Sequence, residues 1–424
     1  MQVSNMWTRF ITLFAAIVLA VSAAVSGADT VVLKDGTKVE GVIERELEGS
    51  VWIKTSIGGI ETVQFILAEN IAKIDRTAKP AEEAKPAPNA ASSDPKPRRA
   101  GVPRGVVISL EGTVGIQMAA KTLEDMIPIL EKEIGNDGTG IVVFKINSGG
   151  GLLLEIQKLS DVIHLKYKPK FRTVSWIESA ISAAAMTSHC IEEIYFLPEG
   201  NYGACTGWFG ALQAVSGEGL EEVLFMMEKI SARGGYAPEI MRAMQINEPL
   251  SCTIDEQTGK VTWYQKEEGE YLVNKGESIL TFTAPQALKY GFSKGTAKDL
   301  EELTRALGYQ EIDWVGEVRP GFIYPVSKSE DFMLSYRKKV TDDEARTNEY
   351  FGNYQQAFAA AAGTQDPELR ARFVGRARKH LRSIESMVRN NPNFALLRWG
   401  MELKDWERDW LKVQQEELAK LLRN

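Results

Sequence analysis

The sequence predicts an α/β protein with a small β-rich module in front of the α/β core and a helical region behind it. Three observations lead to this fold class. Short β-branched runs fill residues 29–76, apolar strands alternate with amphipathic helices over residues 105–308, and helical periodicity dominates residues 309–424. Strands that alternate with helices are typical of βαβ units and of a mostly parallel sheet.

Length and composition narrow the class of protein. A chain of 424 residues predicts two or three domains. The sequence is 44% apolar and 25% charged, which is enough to bury a sizeable core. Its net charge of −7 opposes the basic face that nucleic-acid binding needs, so we expect no nucleic-acid partner.

Residues 1–28 are predicted to be an export signal. Arg9 precedes an apolar run from Phe10 to Val25, and residues 26–28 have the small-x-small form of a signal-peptidase site. The alternative is an uncleaved anchor helix, because the run approaches the length that spans a membrane. Either interpretation puts the protein outside the cytoplasm, in the periplasm or secreted, with membrane association only through its N-terminus.

The β-rich module at residues 29–76 is predicted to be a small SH3-like or Sm-like barrel that serves binding, assembly or simple spacing. Its four predicted strands are Val31–Leu33, Val39–Ile43, Val51–Thr55 and Thr62–Ile66. Glycine-containing turns separate them. Residues 77–104 are rich in Ala, Pro and Lys, and this composition predicts a disordered or polyproline-like linker.

The α/β pattern at residues 105–308 gives its elements in order. The predicted strands are Val106–Leu110, Ile141–Ile146, Phe171–Trp176 and Ile194–Leu197. The predicted helices between and after them are Met118–Ile134, Leu152–Leu165, Ala180–Cys190 and Leu220–Arg233. A β-hairpin insertion is expected at residues 247–282. The run Leu397–Leu422 predicts an amphipathic helix or coiled-coil arm that either packs on its own domain or makes a homo-oligomer.

Three motifs follow successive strands. The second strand runs into Ser148-Gly149-Gly150-Gly151, the third leads to Ser182 within a run of small residues, and Pro198-Glu199-Gly200-Asn201-Tyr202-Gly203-Ala204 follows the fourth. Glycines between a strand and a helix let backbone N–H groups face a pocket, where they stabilise negative charge. Small residues around a serine allow its hydroxyl to face such a turn.

Taken together, these motifs resemble the Clp protease/crotonase superfamily, and within it the serine-protease branch of NfeD-type proteins and signal peptide peptidase A. That branch has a Thr-Pro-Gly-Gly turn, an Ala-Ser-Ala-Gly segment and a Pro-Gly-Thr-x-x-Gly-Ala loop at matching spacings. Here Gly149 replaces the proline of the first motif, and Ala184 replaces the glycine of the second. The resemblance implies a Clp/crotonase-like ββα-spiral core for residues 105–308.

The resemblance also implies an activity. Ser182 would be the nucleophile of an exported serine endopeptidase, and the backbone N–H groups of Gly150, Gly151 and Ala183 would form the oxyanion hole. The substrate would be a polypeptide, and neither a cofactor nor a metal ion is expected. The three cysteines make no metal-ligand pair and no disulfide framework, so buried free thiols are expected.

The general base is the point at which the sequence departs from the family. NfeD-type proteases use a lysine roughly forty residues after the serine, and the matching position here falls near Gly217. Lys229 is two to three helical turns further on, and His189 is two turns along the helix from Ser182, so neither is expected to reach the hydroxyl.

Three explanations stay open at the level of sequence. Another protomer or the C-terminal arm supplies a lysine; Glu178 or Glu218 replaces it; or the domain is an inactive pseudo-protease that binds peptides or partner proteins. A carboxylate of ordinary pKa is a poor base for a serine hydroxyl. A crotonase-like acyl-CoA enzyme is disfavoured, because an exported protein does not meet coenzyme A.

Overall fold

The structure is a computed structural model that describes residues 29–34, 37–47, 50–57, 60–66, 71–76, 101–206, 208–209, 213–214 and 217–423. The predicted export signal and nearly all of the predicted linker lie outside these residues. The chain divides into two compact units, residues 1–92 and 93–424.

The first unit contains one antiparallel sheet. Its strands are β1 (Asp29–Leu33), β2 (Lys38–Leu47), β3 (Ser50–Ile57), β4 (Ile60–Ile66) and β5 (Ile71–Asp75). They pair in the order β4-β3-β2-β1-β5, around the fully buried side chains of Val31, Val51 and Ile53. The four strands expected from the sequence are confirmed, and β5 is an addition. Because β4 and β5 stand at opposite ends of the pairing order, a closed barrel stays a prediction.

Within its described residues, the second unit contains twelve strands and twelve α-helices. The strands are β6 (Arg104–Glu111), β7 (Ile141–Ser148), β8 (Arg172–Ile181), β9 (Glu193–Gly203), β10 (Trp208–Phe209), β11 (Gln213–Ala214), β12 (Pro249–Ile254), β13 (Val261–Tyr264), β14 (Tyr271–Lys275), β15 (Thr281–Thr283), β16 (Gly295–Thr296) and β17 (Asp313–Trp314). The helices are α1 (Ala120–Ile134), α2 (Leu153–Val162), α3 (Ala183–Ser188), α4 (Glu218–Gly234), α5 (Pro238–Gln245), α6 (Ala284–Lys289), α7 (Leu300–Ala306), α8 (Lys328–Gly363), α9 (Pro367–Asn390), α10 (Asn393–Trp399), α11 (Leu403–Asp405) and α12 (Lys412–Leu421).

A seven-stranded sheet forms the centre of this unit. Its order is β15-β9-β8-β7-β6-β17, and β16 also pairs with β9. Strands β6 to β9 run parallel, and β15 is antiparallel to β9. Strands β6 to β9 are mainly apolar and buried because both faces are covered, as in other parallel sheets. Phe144 packs in a core with α1, α2 and α3, whereas Val143 and Trp176 face a second core with Leu303 of α7.

Two predicted element boundaries at the motifs are wrong. The expected helix Ala180–Cys190 begins only at Ala183, because β8 continues to Ile181 and pairs with both β7 and β9 as far as Ala180. Strand β9 likewise runs on to Gly203, through the loop expected after Leu197. Two-sided strand pairing overrides the helix preference of the alanine-rich segment.

The hairpin predicted within residues 247–282 is present and carries one more strand than expected, whereas residues 281–282 belong to β15 of the main sheet. β12 and β13 pair antiparallel across the turn at residues 255–260, and β14 pairs with the other edge of β12. The result is a separate three-stranded sheet beside the main one.

The C-terminal region is helical, as predicted, but its last part is not one continuous helix. Gly400 ends α10 with a left-handed φ of 67°, and a π-helical turn at Trp406–Leu411 precedes α12. Trp406, Leu411 and Leu418 are buried in the same core as Phe144. This part of the chain therefore packs on its own domain. Homo-oligomerisation stays a prediction.

Candidate functional site

Ser182 stands between the end of β8 and the start of α3. Its backbone has a φ of 55° and a ψ of −128°, which L-amino acids other than glycine adopt only at a cost. The N–H of Ser182 donates to the carbonyl of Gly203 at 2.9 Å, so β9 fixes the backbone between β8 and α3. The side chain is partly exposed, and its hydroxyl makes no hydrogen bond with any residue that the structure describes.

Ala204 is the second residue with this kind of backbone. In the described part of the chain, Ser182 and Ala204 are the only residues other than glycine with a positive φ, and Ala204 follows directly on the carbonyl partner of Ser182. The N–H of Ala204 donates to the carbonyl of Leu280 at 3.0 Å. Backbone strain in the second unit is therefore concentrated at the second and third motifs.

The glycine turn, residues 149–151, lies against Ser182. Gly150 has a φ of 103°, and a Cβ built on it would lie 2.6 Å from the Ser182 Cβ and 3.1 Å from the Ala183 nitrogen. A Cβ on Gly151 would lie 2.2 Å from the carbonyl oxygen of Val114. Both positions therefore require glycine because of close backbone approach as well as conformation.

The three predicted oxyanion donors differ in their present hydrogen bonds. The N–H of Gly150 donates to the Ser148 Oγ at 3.2 Å, and that hydroxyl in turn donates to the Gly112 carbonyl at 2.6 Å. The N–H groups of Gly151 and Ala183 have no acceptor within the described residues. Ala183 is also the first residue of α3, where backbone N–H groups point away from the helix and favour negative charge. Ser148 was not singled out as a positioning residue from the sequence.

His189 is closed off from Ser182. Its ring is fully buried between Tyr236 and Phe292, with centroid distances of 4.6 and 5.9 Å, and its Nδ1 lies 3.1 Å from the Tyr202 hydroxyl. Burial lowers the pKa of His189 to about 3, because the charged imidazolium would lose its hydration. The geometry agrees with the expectation that His189 does not serve as the base.

Lys229 points to solvent from α4. Its ammonium group lies 4.1 Å from the centroid of the Phe225 ring, which is 58% exposed. The buried face of α4 consists of other residues, including Val223 and Met227. Gly217, near which the resemblance predicts the family lysine, is the N-cap of α4 with a φ of 61°.

Glu178 and Glu218, the two carboxylates that could replace the family lysine as the base, lie in different environments. Glu178 is the bulged residue of β8, and its carboxylate accepts from the Lys145 ammonium and, at 2.9 Å, from the Asn147 amide. Two donors therefore already engage it. Glu218 is exposed in the first turn of α4. Among the described residues, no Lys, His, Asp or Glu side chain makes a hydrogen bond with Ser182.

The cysteines, the possible metal ligands and the helices offer no further candidate site within the described residues. The three cysteines are free and buried, as predicted, and burial raises the pKa of each thiol. Within the described ranges, no group of three His, Cys, Asp or Glu side chains could hold a metal ion. None of the helices described here is both long and apolar enough to cross a membrane.

Comparison with known proteins gives one curated relative. The chain is 28% identical over 170 residues to "Membrane protein NfeD1b" of Bacillus subtilis (strain 168), and the match covers 40% of this chain. The match spans about a third of that protein's length, 34%. No protein-family profile matches the chain.

Two solved structures are similar to part of this chain. Both are mutants of the 1510-N membrane-bound stomatin-specific protease, and one of them holds a substrate peptide. Each is 14% identical to this chain with a TM-score of 0.36, and they cover 53% and 54% of it and 94% and 89% of their own chains. The sequence match to an NfeD protein confirms the resemblance that the motifs indicated: this chain is similar to the NfeD-type branch of the Clp protease/crotonase superfamily.

Proposed function

We propose that this protein is a serine endopeptidase in which Ser182 is the nucleophile and the N–H groups of Gly151 and Ala183 stabilise the oxyanion. The observation that carries the proposal is the backbone of Ser182. A φ of 55° costs a residue with a Cβ about 1–3 kcal/mol, and a glycine would avoid this cost. A serine held there, partly exposed and against a glycine turn, suits a reactive hydroxyl.

The proposed chemistry is acyl transfer. The Ser182 Oγ attacks the scissile carbonyl carbon and loses its proton to a base, and the carbonyl oxygen becomes an oxyanion facing Gly151 and Ala183. The base then returns the proton to the leaving amine, and water hydrolyses the acyl-enzyme. Because no base contacts Ser182 within the described chain, we propose that a second protomer supplies a lysine to this site.

A fluorophosphonate probe tests the nucleophile. We expect covalent labelling of the wild-type protein, with the adduct mapped by mass spectrometry to Ser182, and none for Ser182→Ala. Ser179→Ala is the matched control, because the Ser179 hydroxyl already donates to the Asn201 side chain at 2.9 Å. If the folded protein does not label at any concentration while an active relative does, the proposal is overturned.

The proposed site of action is outside the cytoplasm. The export-signal pattern of residues 1–28 supports this location, and the name of the curated relative is that of a membrane protein. We propose polypeptides at or near a membrane as substrates. Cell fractionation with and without residues 1–28 tests the location: the full chain should be found with membranes or in the periplasm, and the shortened chain in the cytoplasm.

A second candidate is a pseudo-protease that binds peptides without cleaving them. The observation that favours it is the absence of a lysine near Gly217, where the resemblance predicts the family's base. Under this proposal, Ser182→Ala would bind peptides and support cell function like the wild type. Under the endopeptidase proposal, the same variant loses function while its peptide binding is retained.

A further inference from the structure

The glycine turn is paired with a loop that precedes α1. Within this loop, residues 112–119, the N–H of Val114 donates to the Gly150 carbonyl at 2.9 Å. The N–H of Leu152 donates back to the Val114 carbonyl, also at 2.9 Å. The two bonds hold the 112–119 loop and the glycine turn side by side as a short parallel bridge.

Because the glycine turn is closely packed on both sides, its position depends on the position of the 112–119 loop. No Cβ fits on Gly151 because Val114 lies against it, and none fits on Gly150 because Ser182 lies against it. The glycine turn is therefore packed between the 112–119 loop and the proposed nucleophile. Close-packed contacts of this kind transmit small shifts, so a displaced loop would displace the oxyanion donors.

The C-terminal helices hold the other side of the loop. The Asn391 Nδ2 donates to the carbonyls of Gly115 and Ile116 at 2.9 and 3.1 Å, and the Asn393 Nδ2 donates to Gly115 at 2.9 Å. The Tyr336 hydroxyl of α8 donates to Ile116 at 2.6 Å. Within the described chain, these two carbonyls accept hydrogen bonds only from the C-terminal helices.

Asn391, at the junction of α9 and α10, is held in the orientation that this contact requires. Asn391 is fully buried, and its Oδ1 accepts the N–H of Asn393 at 2.9 Å, so the side-chain amide is fixed in orientation. Burying a polar side chain is unfavourable unless its hydrogen bonds are made, and here the loop carbonyls complete them.

We propose that Asn391, Asn393 and Tyr336 are positioning residues, through which the C-terminal helical region sets the glycine turn next to Ser182. This inference rests on the proposed function for its catalytic meaning. The structural part of the proposal depends only on the observed hydrogen bonds. It states that the 112–119 loop and the glycine turn lose their pairing when the amide donors are removed.

Hydrogen exchange measured on the full chain tests the structural content. We expect the amides of Val114 and Leu152 to exchange about tenfold faster or more in Asn391→Ala than in the wild type. The matched control is Asn390→Ala at the end of the same helix, because the Asn390 Nδ2 is buried and has no hydrogen-bond partner among the described residues. Unchanged exchange in Asn391→Ala, or equal acceleration in both variants, overturns the proposal.

Two further variants separate the hydrogen bonds from general packing. Asn391→Asp keeps the acceptor for the Asn393 N–H and the size of the side chain but loses the donors, so it should behave like Asn391→Ala. Tyr336→Phe removes one donor while the ring stays in place, and we expect a smaller acceleration. Tyr336→Phe also keeps the test available if the Asn391 variants do not fold. Wild-type exchange in both Asn391→Asp and Tyr336→Phe contradicts the proposal.

Fluorophosphonate labelling tests whether this positioning affects the reactivity of Ser182. In Asn391→Ala, the labelling rate constant at saturating probe should fall about tenfold or more, with a smaller change in the half-saturating concentration. Asn390→Ala should label like the wild type. If the wild type never labels, the endopeptidase proposal fails while the exchange result still decides the positioning role. If the wild type labels and Asn391→Ala labels equally fast, the positioning role fails alone.

Discussion

Gly150 lies so close to Ser182 that a Cβ on the glycine would come within 2.6 Å of the serine Cβ and 3.0 Å of its Oγ. The two residues come from the ends of neighbouring parallel strands, β7 and β8. Because the carboxyl ends of such strands meet at one edge of the sheet, the glycine turn and the serine are brought together by topology.

Replacing Gly150 tests this contact. We expect Gly150→Ala to lower the free energy of unfolding by about 1–3 kcal/mol, because the new methyl group overlaps Ser182 and the φ of 103° is unfavourable for alanine. Labelling of Ser182 should also become slower. Gly149→Ala is the control, since a Cβ there meets nothing within 4 Å. Urea unfolding of both variants makes the comparison, and equal stability would contradict the packing argument.

The strain at Ser182 can be measured directly. Ser182→Gly and Ser182→Ala both remove the hydroxyl, but only glycine relieves the φ of 55°. After allowing for the greater entropy of glycine in the unfolded chain, we expect Ser182→Gly to be more stable than Ser182→Ala by about 0.5–1 kcal/mol. Denaturant unfolding at neutral pH gives this difference. If the alanine variant is as stable as the glycine variant, the backbone at residue 182 is not strained.

The stability contribution of His189 depends on pH. Its pKa is about 3 when folded and 6.5 in its ordinary state, so the unfolded chain binds a proton that the folded chain does not. Stability is therefore lost as the pH falls from about 6.5 toward 3, by up to about 1.4 kcal/mol per pH unit from this residue.

His189→Phe should remove this dependence while keeping a ring between Tyr236 and Phe292. We expect the unfolding free energy of the variant, relative to the wild type, to rise between pH 7.5 and pH 5. Labelling of Ser182 should persist in His189→Phe, since the imidazole is buried and its Nδ1 contacts the Tyr202 hydroxyl. Loss of labelling in a stably folded His189→Phe would show that the histidine contributes to the site.

Restoring the family lysine tests whether the site lacks only a base. A Cβ on Gly217 meets nothing within 4 Å, so a side chain has room there, although the φ of 61° costs about 1 kcal/mol or more. In protein diluted until no second protomer can supply a lysine, we expect Gly217→Lys to raise the labelling rate of Ser182 about tenfold or more, because a general base contributes on the order of 10²–10⁴ in rate. Gly217→Ala controls for the backbone effect, and equal rates in the two variants would contradict the expectation.

Much of the candidate site could be predicted from the sequence because the features that form it are encoded by residues close together in the chain. Apolar runs with a period of two or 3.6 gave the strands and helices, and glycines between a strand and a helix gave the turn beside Ser182. The boundaries at Ala180 and Leu197 were wrong, because pairing with neighbouring strands extends β8 and β9 beyond what local propensity indicates.

The sequence by itself determined the order of the motifs, the choice of Ser182 as the candidate nucleophile and the absence of a lysine between Ser182 and Lys229. Only the tertiary structure decided that His189 is enclosed by aromatic rings and that Asn391 contacts Gly115, 276 residues earlier in the chain. No local periodicity encodes such contacts, because they depend on how whole helices pack against the sheet and bring distant segments together.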